Sequence, residues 1–325
     1  MSSWLENVKR FVEEADHFLI VSHVHPDGDA VSSTLATAKI LRECGKKVTM
    51  VNESPIPKKF SFLPGVGEIL QPNQVKERFD YVVTVDCADA KRVGECANLY
   101  AEQVKILNID HHATNDHFGQ VNVVIPDAAA TVEILFDWIE GLQITWEREL
   151  AIMIYTGLLT DTGGFRYSNT TPKLLRQAAQ LIETGIDAHR IVDMVLETTT
   201  IEQLQLLQVA LSTLKRSEDG FIAWMTLQLA DMKKYHATSE DLDGIVNYAR
   251  NIAGVDVGIL FREEGDQTVK VSFRSRAKAD VGAIAKSIGG GGHARAAGCT
   301  YLGTIQQAQT AILPLVVKEL ESGEK

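Results

Sequence analysis

Thiols are scarce in this sequence and poorly spaced for chemistry. The chain has 325 residues and four cysteines, Cys44, Cys87, Cys96 and Cys299. No CxxC pair occurs among them, which argues against a disulfide framework and against a thiolate zinc site. They read as small buried hydrophobes. Long apolar runs are also missing: "FIAWMTLQLA" is one of the longest, well short of the roughly 20 residues that span a bilayer. The N-terminal "SSWLENVKRFVEEADHF" is amphipathic and charged, without the basic start, apolar block and cleavage site of a signal peptide. The expected location is the cytoplasm, with no membrane partner. Positive charge is in deficit as well, with 32 Lys and Arg against 43 Asp and Glu and a formal net charge of -11. That balance opposes binding of long duplex nucleic acid, which depends on fields of Lys and Arg. A small anionic ligand remains compatible where metal ions and a few arginines reverse the sign locally.

What is present is ordinary globular material, 45% hydrophobic and 23% charged. The length exceeds what one core readily supports, so two domains are expected. From residue 17 to 127, short apolar runs ("HFLIVSH", "KKVTMVN", "DYVVTVD", "VKILNID") alternate with helix-length segments such as "AVSSTLATAKILRECG". This pattern predicts an α/β domain on a mainly parallel sheet, whose ligands bind beyond the carboxyl ends of the strands. "RELAIMIYTGLLTDTGGF" reads as a buried helix ending in a glycine turn at Gly163 and Gly164. The stretch "AHRIVDMVLETTTIEQLQLLQVALSTLKRSEDG" reads as helical throughout and as the connection between domains. The pattern restarts at "GFIAWMTL" with a strand, a helix over "DLDGIVNYARNI", two more strands and another helix. The predicted organisation is a first domain over 1–190, a helical linker over 191–218 and a smaller α/β domain over 219–325.

Candidate ligands for metal fall where the parallel-sheet rule puts a site. His23, Asp27 and Asp29 follow the strand "FLIVS"; Asp86 ends "YVVTV"; Asp110 ends "VKILNI" with His111 and His112 behind it; Asp161 closes the buried helix. Strands that pair side by side bring these residues to one sheet edge. A lone Asp at a strand end is more often a helix N-cap than a ligand, but packing does not explain Asp-His-His at a buried strand exit. The set is carboxylate and imidazole without thiolate, which favours manganese, magnesium or cobalt over structural zinc. Its number of carboxylates exceeds what one ion requires and suits a pair of divalent ions sharing a carboxylate. His25 reads as a loop residue.

At these residues the sequence resembles the DHH phosphoesterase family, through "SHVHPDGDA", "VDCAD", "IDHHATND", "TGLLTDTGGFRY" and the C-terminal "GGGGHARAAG" of the DHH-associated domain. The resemblance covers almost the whole chain, and within the family it is nearest the nano-RNase and 3',5'-bisphosphonucleotide (pAp) phosphatase group. It implies that the active site lies in the cleft between the domains. It also implies that His23, Asp27 and Asp86 hold one ion and Asp29, Asp86, His111 and Asp161 the other, with Asp86 as the bridge. His112 would face the scissile phosphate, and Asp110 would orient the histidines from behind.

The run "SIGGGGHARAAG" cannot be an interior strand or helix, since consecutive glycines lose backbone entropy and supply nothing to pack. They permit close backbone approach, with a ligand as one candidate and a flexible loop as the other. "FRSRAK" upstream concentrates positive charge, and alternation along a strand would send Arg274 and Arg276 to one face; a solvated strand end is the plain alternative. By the resemblance, Arg274, with Arg276 on the same strand, and Gly291, Gly292 and His293 would hold the nucleotide or terminal phosphate of the substrate. The expected substrates are short single-stranded RNA or DNA oligonucleotides and pAp, cleaved to mononucleotides by water activated between two manganese ions. Cleavage of cyclic or linear dinucleotides stays open as a second enzymatic reading, a nucleotide-binding module without turnover as a third, and a homodimer is left open too.

Overall fold

A computed structural model describes residues 3–322; residues 1, 2 and 323–325 lie outside it. The chain divides into two compact units, one ending at Thr198 and one beginning at Thr199.

The first unit is built on five parallel strands, β1 (His17–Val21), β2 (Lys47–Val51), β3 (Phe79–Val85), β4 (Tyr100–Asp110) and β5 (Val121–Val124), in the order β2-β1-β3-β4-β5. Strands buried on both faces are apolar at successive positions. In β1, Phe18 and Ile20 enter the core under the helices, while Leu19 and Val21 pack on the opposite face with Val82, Cys87, Cys96 and Leu99. The helices are α1 (Ser3–Glu13), α2 (Gly28–Glu43), α3 (Thr131–Leu142), α4 (Arg148–Asp161), α5 (Pro172–Glu183) and α6 (Ala188–Val192). Side chains of α2, α3 and α4 fill the larger core with Val31, Leu35, Leu135, Trp138, Ile154 and Leu158. Cys87, Cys96 and Cys299 are buried as expected, but Cys44 is exposed. It caps the C-terminus of α2, where the chain leaves the core.

The second unit comprises α7 (Ile201–Ser212), β6 (Lys215–Arg216), β7 (Ile222–Leu227), α8 (Leu229–Lys234), α9 (Ile245–Arg250), β8 (Val257–Gly265), β9 (Thr268–Ser275), α10 (Val281–Ser287), β10 (Gly291–His293), β11 (Ala296–Leu302) and α11 (Ile305–Ser322). Its six-stranded sheet runs β10-β11-β9-β8-β7-β6 and is mixed: β7 and β8 are parallel and the other pairs antiparallel. The protein is therefore α/β in both units, with a parallel sheet in the first and a mixed sheet in the second.

Two predicted helices are shorter than expected, for local reasons. The stretch 188–220 is not one helix: it breaks at Thr198–Thr200, where Thr198 turns extended and the Thr200 hydroxyl accepts the Gln203 N–H as the N-cap of α7. Three β-branched residues in a row, the last a good cap, stop one helix and start the next. Ile191 and Val195 belong to the first unit's core and Leu206 and Ala210 to the second's, so this segment is shared between two cores. The helix predicted over 241–252 begins only at Ile245, because Gly244 takes a left-handed conformation, φ 77°.

Candidate metal centre

The site in the first unit lies at the carboxyl ends of three neighbouring strands. β1 runs into Ser22 and His23, β3 into Asp86, and β4 ends at Asp110 with His111 and His112 directly after. Asp86 lies at the middle of the group and is 1% exposed. It holds a left-handed backbone conformation, φ 54°, with its N–H donated to the Ile109 carbonyl. Such a conformation is unfavourable for a residue with a side chain. Here it turns the carboxylate so that its oxygens divide. Oδ2 lies 3.4 Å from His23 Nε2, whereas Oδ1 lies 3.6 Å from His111 Nε2, 3.6 Å from His112 Nδ1 and 3.1 Å from the Thr131 hydroxyl, which donates to it.

The ring nitrogens facing the carboxylates follow from what the other nitrogens do. His23 Nδ1 lies 2.8 Å from the Val24 carbonyl and His111 Nδ1 lies 3.3 Å from that of Ala128. Carbonyls accept, so each Nδ1 carries the proton and Nε2 is the ligand atom. His111 Nε2 stands 3.3 Å from Asp161 Oδ2, and His23 Nε2 stands 3.8 Å from Asp27 Oδ2. His112 differs, for its Nδ1 is 2.7 Å from Asp110 Oδ1. Asp110 is fully buried and its Oδ2 accepts from Asn115 Nδ2 at 2.6 Å. Asn115 also donates to the Cys87 carbonyl, and its own carbonyl accepts from Asn108, which in turn accepts from Thr84. A buried polar chain thus fixes Asp110, and Asp110 fixes His112.

The remaining aspartates have double duties. Asp27 is the N-cap of α2: Oδ1 accepts from the N–H groups of Asp29 and Ala30, while Oδ2 faces His23. Asp29, fully buried, accepts from the N–H groups of Thr131 and Val132 at the N-terminus of α3. Asp86 and Asp161 are not N-caps: one follows a strand and the other is the last residue of α4. His25 is exposed, with its N–H on the Ser54 hydroxyl.

Three overlapping groups have ligand atoms mutually within 4.8 Å: His23, Asp27 and Asp86; Asp29, His111 and Asp161; and Asp86, His111 and His112. These groups contain seven of the eight predicted residues of the first unit, and the eighth, Asp110, joins them through its contact with His112. Its electrostatics call for positive charge. Burial and neighbouring carboxylates push Asp29 and Asp161 well above the usual carboxylate range. Burial also opposes ionisation of Asp86, yet His23, His111 and His112 hold it far below that range. Burial opposes charging of His23, but Asp27 and Asp86 raise its imidazole to about 10. His112 is raised too, against burial, by its bond to Asp110 and the charge of Asp86. Burial pushes the Cys87 thiol beside Asp86 up to about 12, so it offers no thiolate. The donor set is hard oxygen plus imidazole, which fits divalent manganese, magnesium or cobalt.

The predicted residues of the second unit are arranged differently. His293 on β10 is opposite Ala296 on β11, and Ala296 is opposite Arg274 on β9. Residues in register on adjacent strands project to the same face, so His293 and Arg274 flank a small residue on one side of the sheet. Arg276 does not join them. It lies past the end of β9, where its guanidinium donates to the Arg250 carbonyl. The glycine run is the edge strand β10 with the turn before it, but the tail of the same segment, Ala296, Ala297 and Gly298, lies in β11, an interior strand, against the expectation that the segment could not be one. A Cβ on Gly290 would meet the Gly298 carbonyl oxygen at 2.2 Å and one on Gly292 the Ala296 oxygen at 2.5 Å, whereas Gly291 has nothing within 4 Å. The close approach that Gly290 and Gly292 themselves make is to β11.

Sequence reasoning missed Thr131 and Asn115. Asn115 stands within the quoted "IDHHATND", so its nearness to the histidines was readable. Nothing in the sequence places Thr131 beside Asp29 and Asp86, 102 and 45 residues away.

Residues 17–158 match the model of the DHH family, N-terminal domain, and residues 221–318 that of the DHHA1 domain. The chain is 36% identical over 302 residues to the bifunctional oligoribonuclease and PAP phosphatase NrnA of Thermus thermophilus, across 93% of this chain and 89% of that protein. It is 28% identical over 294 residues to the protein of the same name from Bacillus subtilis, across 90% and 91%. Among solved structures, an exopolyphosphatase-related protein from Bacteroides fragilis superposes with a TM-score of 0.91 at 27% identity, covering 100% of this chain and 98% of that one.

Proposed function

The chain belongs to the DHH family, as a phosphoesterase with a DHHA1 domain, and from that premise we propose that it hydrolyses short oligoribonucleotides and 3'-phosphoadenosine 5'-phosphate at a two-ion centre, with manganese as the metal. The reading rests chiefly on one observation, the division of the Asp86 carboxylate between the His23 side and the His111 side. His23, Asp27 and Asp86 would hold one ion, and Asp29, Asp86, His111 and Asp161 the other. Divalent ions there supply Lewis acidity, lowering the pKa of bound water and neutralising charge on phosphoryl oxygens.

The protein's own part is positional. Asp110 keeps the His112 proton on Nδ1 and fixes the ring plane, so Nε2 is the atom assigned to a phosphoryl oxygen. Charge favoured on His112 by Asp110 and Asp86 suits it to meet an anion. The α3 N-terminus holds Asp29 through two backbone N–H groups, so this carboxylate is set before any substrate arrives. In the second unit we assign Arg274 and His293 to the substrate's terminal phosphate, on the strength of their shared sheet face. A few such cations suffice for a short anionic substrate, and a chain of net charge -11 gives a long polyanion little further attraction. Cytoplasmic action agrees with these substrates, and no helix among the described residues is long and apolar enough to cross a membrane.

The test is hydrolysis of a panel, with manganese and after chelation: a dinucleotide, a five-nucleotide and a twenty-four-nucleotide RNA, adenosine 3',5'-bisphosphate, a cyclic dinucleotide and pyrophosphate. The expected result is metal-dependent turnover of the two shortest RNAs and the bisphosphate. Exclusive cleavage of the cyclic dinucleotide or of pyrophosphate would overturn the substrate assignment, and binding without turnover would overturn the enzymatic one.

A further inference from the structure

The turn that follows α4 has a feature the chemistry above does not use. Gly163, Gly164 and Phe165 stand consecutively in the left-handed region, at φ 56°, 74° and 61°. Glycine adopts this conformation readily, but Phe165 does so against its own Cβ. Such strain persists where the surrounding structure enforces it, and it often marks a functional site.

The consequence of the turn is a sorting of side chains. Phe165 goes inward, packing against the core with its ring 5.9 Å from that of Tyr155 in an edge-on contact. Arg166 and Tyr167 go outward, with both backbone N–H groups on the Thr162 carbonyl. The Tyr167 ring lies over Gly163, so close that a Cβ there would be 2.3 Å from its Cζ. Arg166 Nε donates to the Gly163 carbonyl at 2.5 Å. A ring and a guanidinium are thus laid against one glycine, two residues from Asp161. The far end of the turn is tied to the same place, since Asn169 Nδ2 donates to the carbonyls of Asp161 and Ala129.

A single exposed aromatic residue is unremarkable. Tyr167 is different in that it is 43% exposed although the turn that carries it is pinned at both ends to backbone carbonyls beside the carboxylate cluster, those of Thr162 and Asp161. A rigid ring presented beside a phosphate-cleaving centre matches the flat face of a nucleobase, and a neighbouring guanidinium matches a base or a phosphate. We propose that Tyr167, with Arg166 beside it, is a stacking platform for the unpaired base of a nucleotide flanking the scissile phosphate. This inference rests on the nucleotide-cleaving reading above and adds to it a base-recognition subsite within the first unit. Stacking has little sequence preference and requires an unpaired base, so the platform selects single strands over duplex.

The experiment compares kcat/KM, with manganese, for an adenine dinucleotide and for matched dinucleotides with an abasic position at either nucleotide in turn. Wild type should favour the intact dinucleotide by about tenfold at one of the two positions. Tyr167→Ala should bring that ratio near one, and Tyr167→Phe and Tyr167→Trp should keep it. Tyr167→Leu, which still covers Gly163 but has no aromatic face, should behave like the alanine variant and guards against a folding defect. The platform is overturned if wild type shows no preference at either position, or if the Ala and Leu variants retain it. If wild type cleaves none of the three dinucleotides, the proposed function itself fails and the platform falls with it.

Discussion

Asp86 and Asp256 are both buried aspartates, one in each unit, and they are satisfied in opposite ways. Asp86 has three imidazoles around it, at 3.4 to 3.6 Å. Asp256, 5% exposed, accepts the backbone N–H groups of Ala277, Lys278 and Ala279, and its own carbonyl accepts from Arg276. The second carboxylate is a brace: fixed N–H dipoles neutralise it and leave it shaping the loop of Arg276 and Lys278. The first is surrounded by groups that can themselves bind protons or metal. Burial alone does not distinguish a functional carboxylate from a structural one; in this pair the chemical nature of the partners does, whereas Asp29, also held by backbone N–H groups, joins the cluster through its nearness to His111 and Asp161.

That contrast yields three expectations, from the largest effect to the smallest. Asp86→Ala should abolish metal-dependent turnover, as should chelation of the wild-type protein, with the fold retained by circular dichroism. Near-normal activity in the variant would remove the bridging role. Asp256→Ala should act on stability instead. It strands buried N–H groups, each worth roughly 1–3 kcal/mol, and should lower the unfolding free energy in urea by about 3 kcal/mol. If Asp256→Ala unfolded like wild type yet lost all turnover, Asp256 would belong to the chemistry and the contrast would fail. Asp110→Asn should lie between the two roles, lowering kcat by about 10- to 100-fold with metal stoichiometry unchanged. A kcat within twofold of wild type would mean that His112 does not depend on Asp110 for its orientation.

How much of this was legible in the sequence follows the same division. Most candidate ligands in the first unit are side chains at the exits of buried parallel strands, and such strands announce themselves as apolar runs, so the sequence alone places Asp86, Asp110, His111 and His112 on one edge. What escaped were contacts made by elements distant in sequence. Thr131 and the N-terminus of α3 reach Asp29 only through the packing of α3 on α2, which no local pattern encodes. In the second unit the arrangement is made by backbone. The register that puts His293 and Arg274 on one face, the turn of Arg276 toward Arg250, and the use of Gly290 and Gly292 for approach to β11 all depend on strand pairing. Glycine has no side chain through which to signal its neighbour. The break at Thr198–Thr200 was different: three threonines are visible, but apolar residues at helical spacing on either side masked their meaning as a stop followed by a cap.

The most direct test of the central claim is electron paramagnetic resonance of the full chain titrated with manganese, wild type beside Asp86→Ala. A shared carboxylate places two ions about 3.5 to 4 Å apart, so wild type should load two ions per chain and give the spectrum of a spin-coupled pair, and Asp86→Ala should lose the coupling. Magnetically isolated ions at full loading of the wild-type protein would contradict the account, because Asp86 would then not join two metals at one site.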